Sequence, residues 1–224
     1  MRLAIVVPTL NEEDALRRNL PAALAAADEV VVSDGGSEDD SVEIARRLGA
    51  RVVAGPPSRG GQLNRGARAA PSADVLLFLH ADTTLPARGA EAVRAAVAQG
   101  CNGGAFLLRF DVDRPAQRLG AWLINRRTRM LRLPLGDQAQ FVTREAFEKL
   151  EGFRDWPILE DLDFAIRLRR LGGMTLIAAP VTTGARRFRE LGAVRTVATN
   201  WLIWILFFLG VSPHRLARLY RQVR

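Results

Sequence analysis

Four acids stand where a chain can do phosphate and proton chemistry. Asp82 closes Phe78-Leu79-His80-Ala81-Asp82, and the residues before it, Asp74-Val75-Leu76-Leu77-Phe78-Leu79, form a short apolar run. Such a run reads as a central parallel strand. Ligands bind outside the carboxyl ends of parallel strands, so Asp82 is placed to hold a divalent metal against a phosphate. Capping the turn at Thr83-Thr84-Leu85-Pro86, where a helix opens, is the plainer alternative. Asp34 ends a second apolar run, Glu29-Val30-Val31-Val32-Ser33, and leads into Gly35, Gly36 and Ser37. Glu160 and Asp161 follow Trp156-Pro157-Ile158-Leu159 at the mouth of an amphipathic helix, where acids are also favoured by the helix dipole.

A glycine-rich turn adds a place for an anion. In Pro57-Ser58-Arg59-Gly60-Gly61-Gln62-Leu63-Asn64 the glycines let backbone amides approach closely, and Arg59 carries a permanent charge. The segment lacks the Gly-Lys-Ser ending of a nucleoside-triphosphatase loop.

Strands are expected near 3–7, 29–33, 51–54 and 74–79, with helices near 12–26, 38–48, 60–70 and 86–99. This alternation implies a mostly parallel, doubly wound α/β sheet with helices on both faces. After Gly100 the pattern changes to a strand over 103–111, a basic helix over 115–131, a short strand at 139–142 and a short helix at 144–150. Met1-Arg2-Leu3-Ala4-Ile5-Val6-Val7 could pass for the start of a signal peptide. Pro8, Asn11 and Glu12 end it without a small-residue cleavage site, so a first strand and a cytoplasmic chain are expected. The single Cys101 excludes an intrachain disulfide.

Taken in order, Val6-Val7-Pro8-Thr9-Leu10-Asn11-Glu12, Val32-Ser33-Asp34-Gly35-Gly36, His80-Ala81-Asp82 and Leu159-Glu160-Asp161 resemble the signature segments of family 2 glycosyltransferases with the GT-A fold. The nearest likeness is to small bacterial members often named only as associated transferases. The resemblance implies one domain over 1–224: a nucleotide-sugar half (1–100), an acceptor half (101–190) and C-terminal amphipathic and apolar helices (191–224).

It also implies roles. Pro8, Thr9, Asn11 and Glu12 would approach ribose and base. Asp34, beside Gly35, would accept from a uracil-type N–H, and Arg59 and Asn64 would join the donor site. His80, Ala81 and Asp82 stand at the family's Asp-X-Asp segment, with histidine replacing the first acid. Asp82 would bind Mn2+ or Mg2+, and His80 would either ligate Mn2+ or sit near the sugar or diphosphate. Asp161 would be the base of an inverting displacement, with Glu160 raising its proton affinity by like-charge proximity. Asp163 is expected to be structural. Asp137 and Gln138 would line the acceptor side, and Arg186 and Arg187 would clamp the diphosphate. The Gln-X-X-Arg-Trp motif of processive synthases is missing, which points to addition of a single sugar. Read without the resemblance, Glu12 is an ordinary first-turn acid and Asp34-Gly35-Gly36 a turn.

Charge is concentrated at one end. From Arg186 onward eight arginines face one acid, Glu190, a net +7 of the chain's +8. Nucleic-acid binding does not fit, because Trp201-Leu202-Ile203-Trp204-Ile205-Leu206-Phe207-Phe208-Leu209 lies in the middle of that segment. The apolar stretch 197–211 is shorter than the roughly 20 residues that cross a bilayer. Flanking arginines and two tryptophans suit a headgroup boundary. Apolar residues almost surround 197–211, which would also suit an ordinary helix buried on more than one side. Peripheral contact of 197–224 with the inner face of the cell membrane, or with a second copy, is the preferred expectation, and with it a hydroxyl acceptor that could be lipid-linked. The competing functions are a sugar nucleotidyltransferase, which would need a basic glycine-rich loop after the first strand, and a non-catalytic membrane-associated scaffold.

Overall fold

Strand β1 (Leu3–Thr9) is apolar on both faces, and residues 3 to 7 are at most 2% exposed. A strand of this kind must be covered on both sides of its sheet. The computed structural model describes residues 1–185 and 193–222. There β1 lies between β2 (Glu29–Asp34) and β4 (Val75–Phe78), with β3 (Arg51–Ala54) outside β2, all parallel. Short β7 (Phe141–Thr143) runs antiparallel between β4 and β6 (Gly103–Phe110). Strand β8 (Met174–Thr183) lies parallel to β6, and β5 (Thr83–Thr84) closes the edge antiparallel to β8. The order is β3-β2-β1-β4-β7-β6-β8-β5: a mixed, mostly parallel sheet, as the sequence implied.

Alternate residues of β1 serve two cores. Leu3, Ile5 and Val7 pack under α1 (Glu13–Ala26), α2 (Ser41–Arg47), α4 (Gly89–Ala98) and the inner side of α5 (Pro115–Leu131). Ala4 and Val6 pack under α3 (Arg59–Ala69), α6 (Arg144–Lys149) and α7 (Glu160–Leu171). A Cβ on Gly66 of α3 would lie 2.3 Å from Val6 Cγ1, so only glycine allows this close approach. Phe78, Phe147, Phe153 and Phe164 interlock, with ring centroids 4.8 Å apart for Phe78–Phe153 and 4.2 Å for Phe153–Phe164. That cluster fixes α7 to β4, the strand that leads into His80. The C-terminal helices are α8 (Ala193–Phe208) and α9 (Pro213–Gln222).

Two local expectations change. Helix α4 begins at Gly89, three residues past Pro86, because Thr83 and Thr84 pair with Thr183 and Thr182 instead of starting the helix. Apolar residues surround 197–211 in sequence, yet α8 buries Ile203 and Trp204 while Trp201, Ile205 and Phe208 stay exposed. No helix among the described residues is long and apolar enough to cross a membrane.

Candidate active site

Parallel strands bring the chemistry-bearing segments to one edge. Strands β1, β2 and β4 end there at Thr9, Asp34 and Phe78. Because β7 runs the opposite way, the 3₁₀ turn Gly136–Gln138 that precedes it lies at the same edge. Two backbone bonds tie these segments: Phe78 N–H donates to Gln140 O at 2.8 Å and Leu79 N–H to Val6 O at 2.9 Å.

At the centre stand Arg59, first residue of α3, and Glu160 and Asp161, the first two of α7. Arg59 Nε is 3.1 Å from Glu160 Oε1, and Glu160 is only 2% exposed. A buried carboxylate requires such a cation. The same guanidinium reaches the His80 ring, with Nη2 at 3.1 Å from Nδ1 and in contact with Nε2. Arginine can only donate, so a ring nitrogen that accepts from it carries no proton. Asp161 Oδ2 accepts from Gly136 N–H at 2.7 Å and Oδ1 from Leu162 N–H at 2.7 Å. A Cβ on Gly136 would lie 2.8 Å from His80 Nε2 and 3.2 Å from Asp161 Oδ2. Gly136 therefore forms the floor between these two side chains, and any larger residue would fill it.

Asp82 is exposed at the end of the β4 segment. Its Oδ2 faces Gly184, whose Cβ would come within 2.8 Å, and Oδ1 accepts from Thr83 Oγ1 at 3.3 Å. No group of three or more His, Cys, Asp or Glu able to hold a metal occurs among the described residues. One exposed carboxylate nevertheless suits a hard cation whose remaining ligands are phosphate oxygens and water. The His80 ring, facing a guanidinium, suits a cation less well.

The first two strand ends are built differently. The Asp34 carboxylate is buried and accepts from Gly36 N–H at 2.8 Å, Ser37 N–H at 3.1 Å and Ser37 Oγ at 2.5 Å. These bonds fold the Gly35-Gly36 turn, where Gly36 has φ +94°. Asn11, at φ +54°, accepts from Glu38 N–H through Oδ1 at 2.8 Å, and its own N–H donates to Ser37 Oγ at 2.9 Å. Glu12 N–H donates to Ser41 Oγ at 2.8 Å. Thr9 is buried, and Pro8 is half-buried beside it. The Asn64 amide binds the Phe153 backbone at both ends, donating to O at 2.7 Å and accepting from N–H at 2.8 Å. It holds the loop that leads into α7.

Asp163 pairs with Arg167 at 2.7 Å and Arg154 at 3.7 Å, away from the central cluster. Gln138 is buried, accepting from Thr128 Oγ1 at 2.9 Å and donating to Phe106 O at 3.1 Å. Half-buried Asp137 lies in the same turn and acts electrostatically on Arg127. Arg186 and Arg187 lie outside the described residues.

Arg65 and Arg127 escape a sequence reading, and Gln62, which the glycine-rich turn offers only as a weaker donor-site candidate, joins them. Gln62 donates to Thr9 O at 2.7 Å and Ser33 O at 3.0 Å, tying the ends of β1 and β2. Arg65, one turn on, donates to Asp34 O at 2.8 Å, and burial pushes its guanidinium below the ordinary value. Arg127 of α5 lies 4.7 Å from the Trp204 ring centroid, and burial lowers its affinity for a proton while Asp137 and Asp161 oppose that shift. For Arg65 only its i, i+3 spacing from Gln62 on α3 offered a signal; Arg127 offered none.

The sequence profile of glycosyl transferase family 2 matches residues 4–147. The chain belongs to glycosyl transferase family 2. Among solved structures it is similar to S. aureus TarS 1-349, with TM-score 0.66 and 16% identity over 88% of this chain and 64% of that one. The mannosyltransferase PcManGT from Pyrobaculum calidifontis, in complex with GDP-Man and Mn2+, gives TM-score 0.58 and 20% identity over 87% of this chain and 62% of that one. Glucosyl-3-phosphoglycerate synthase from Mycobacterium tuberculosis, with Mn2+, UDP and phosphoglyceric acid, gives 0.63 and 20% over 94% and 79%. The family 2 chain spans less than two thirds of the first two, and all three likenesses show a GT-A fold.

Proposed function

We propose that this chain is a metal-assisted, inverting glycosyltransferase that moves one sugar from a nucleotide-sugar donor, a UDP-sugar, to a hydroxyl acceptor. The observation that carries the reading is Asp161, held by the Gly136 amide and facing His80 across Gly136 at the strand-end edge. A carboxylate fixed in this way can take the acceptor's hydroxyl proton as its oxygen attacks the anomeric carbon. The bond from that carbon to the diphosphate oxygen breaks, and a nucleoside diphosphate leaves. Arg59 sits beside the ring of His80, where its fixed charge can meet the charge developing on the leaving group.

Glu160 acts by holding Arg59. Its charge is met by that guanidinium, whose Nε lies 3.1 Å from Glu160 Oε1. Asp82, rather than His80, would hold Mn2+ or Mg2+, which when bound neutralises diphosphate oxygens. Asp34 and Asn64 serve the donor side by positioning, through the Gly35-Gly36 turn and the Phe153 loop. Pro8, Thr9, Asn11, Glu12 and Ala81 line the same edge, Asp137 and Gln138 lie toward the acceptor, and Arg186 and Arg187 remain candidates for the diphosphate. One domain over 1–224 is part of this reading, supported by a single sheet that draws strands from residues 3 to 183. So is a peripheral contact through 197–224 on the cytoplasmic side of the membrane, supported by exposed Trp201, Ile205 and Phe208.

The test is a panel of UDP-, GDP- and ADP-sugars with Mn2+, following nucleoside diphosphate release. Release from a UDP-sugar supports the reading, whereas pyrophosphate-dependent nucleoside triphosphate formation would replace it with a nucleotidyltransferase.

A further inference from the structure

Helix α5 carries an apolar stripe that the sheet does not use. Leu119, Trp122 and Leu123 recur at helical spacing and are 58%, 54% and 44% exposed. The opposite side buries Gln117, Gly120 and Thr128. Asn125 fixes the helix to β6, accepting from Leu108 N–H at 2.9 Å and donating to Leu108 O at 2.8 Å, so the stripe is held outward. Its neighbour α8, joined to α5 where Arg127 meets the Trp204 ring, exposes Trp201, Ile205 and Phe208 in the same manner. Large apolar side chains on two adjoining helices mark an interaction surface.

Charge identifies the partner. None of α5, α8 and α9 contains an Asp or Glu. Arg126 and Arg129 of α5 and Arg215 and Arg218 of α9 are exposed, and Arg126 lies 5.6 Å from the Trp122 ring centroid. Pairing this face with its own copy would bring positive charge against positive charge. An anionic bilayer offers what the face lacks: negative headgroups for the arginines, an interfacial level for Trp122 and Trp201, and acyl chains for the leucines and Phe208.

We propose that α5 and α8 together form a docking face for an anionic membrane surface, with α5 an anchor in its own right. The inference rests on the reading of 197–224 as a peripheral contact and adds a second element to it, one that lies within residues 101–190.

The experiment is co-sedimentation of the full chain with phosphatidylcholine vesicles, with and without phosphatidylglycerol, in rising salt. The wild type should bind only the anionic vesicles and be released by salt as the charges are screened. Trp122→Ser with Leu123→Ser, and separately Arg126→Glu with Arg129→Glu, should each weaken binding about tenfold or more. UDP binding serves as the control for folding, since none of these side chains belongs to the proposed donor site. Wild-type binding unchanged in both double variants would overturn the role of α5 and leave the C-terminal contact standing. A wild type that ignores anionic vesicles would overturn both. A dimer in light scattering that Trp122→Ser with Leu123→Ser converts to monomer would assign the face to a second copy and also overturn the proposal.

Discussion

The Arg59–Glu160 pair explains why two adjacent acids at a helix start can have different tasks. Glu160 is buried and faces a guanidinium at 3.1 Å, whereas the Asp161 carboxylate is held by backbone amides. Replacing Glu160 by Gln removes the partner of Arg59 without changing shape. Because Arg59 is partly exposed, the stability lost should be modest, about 1–3 kcal/mol in urea unfolding. Donor affinity should fall with it, since Arg59 would no longer be held against His80. Unchanged UDP affinity in Glu160→Gln would detach Arg59 from the donor site. Asp82→Ala addresses the metal. In the wild type UDP should bind more tightly with Mn2+ and more weakly with a chelator, and in the variant calorimetry should give one affinity under both conditions. Full sugar transfer in excess chelator would remove Asp82 from that role. For Asp34, whose carboxylate folds a turn, the expected consequence of Asp34→Ala is a general loss of UDP affinity. Loss of only the preference for UDP over GDP would instead make it a direct reader of the base.

At the scale of elements, the site depends on how closely α3 and α7 are held. Four phenylalanines join β4, α6, the Phe153 loop and α7, and Phe164 is fully buried among them. Truncating Phe164 to Ala should cost about 3–5 kcal/mol, read as a lower midpoint in denaturant. A second constraint is local. A Cβ on Gly60 would lie 2.1 Å from Arg154 O, so Gly60→Ala must move α3 or the 154 loop. Donor affinity should then fall more than stability does; the reverse order would show that α3 does not position Arg59. Apolar runs and a parallel alternation made the first four strands and their helices legible. Strand β8 was harder to read, because only Val181 and Thr183 of its ten residues are buried and its pairing shifts register between Phe106 and Leu107. Thr83-Thr84 looked like a helix approach because its strand partner, Thr182-Thr183, lies about a hundred residues away.

For the whole molecule, one sheet edge collects Asp34, Arg59, His80, Asp82, Gly136 and Asp161 from five separate segments. That convergence was readable from the order of the motifs, because parallel strands must end on the same side. What the residues do to one another was not readable. The grip of Asn64 on Phe153 and the stacking of Arg127 on Trp204 are contacts between segments distant in the chain. The most direct test of the central claim, that Asp161 is the base of sugar transfer, is Asp161→Asn assayed with the UDP-sugar the wild type uses in Mn2+. The substitution is nearly isosteric, so UDP binding should persist while release of UDP from the donor slows by about 10²–10⁴-fold. Near-normal turnover in this variant would contradict the claim and move the proton transfer to another acid. Loss of UDP binding alongside turnover would contradict it as well, placing Asp161 in the donor site.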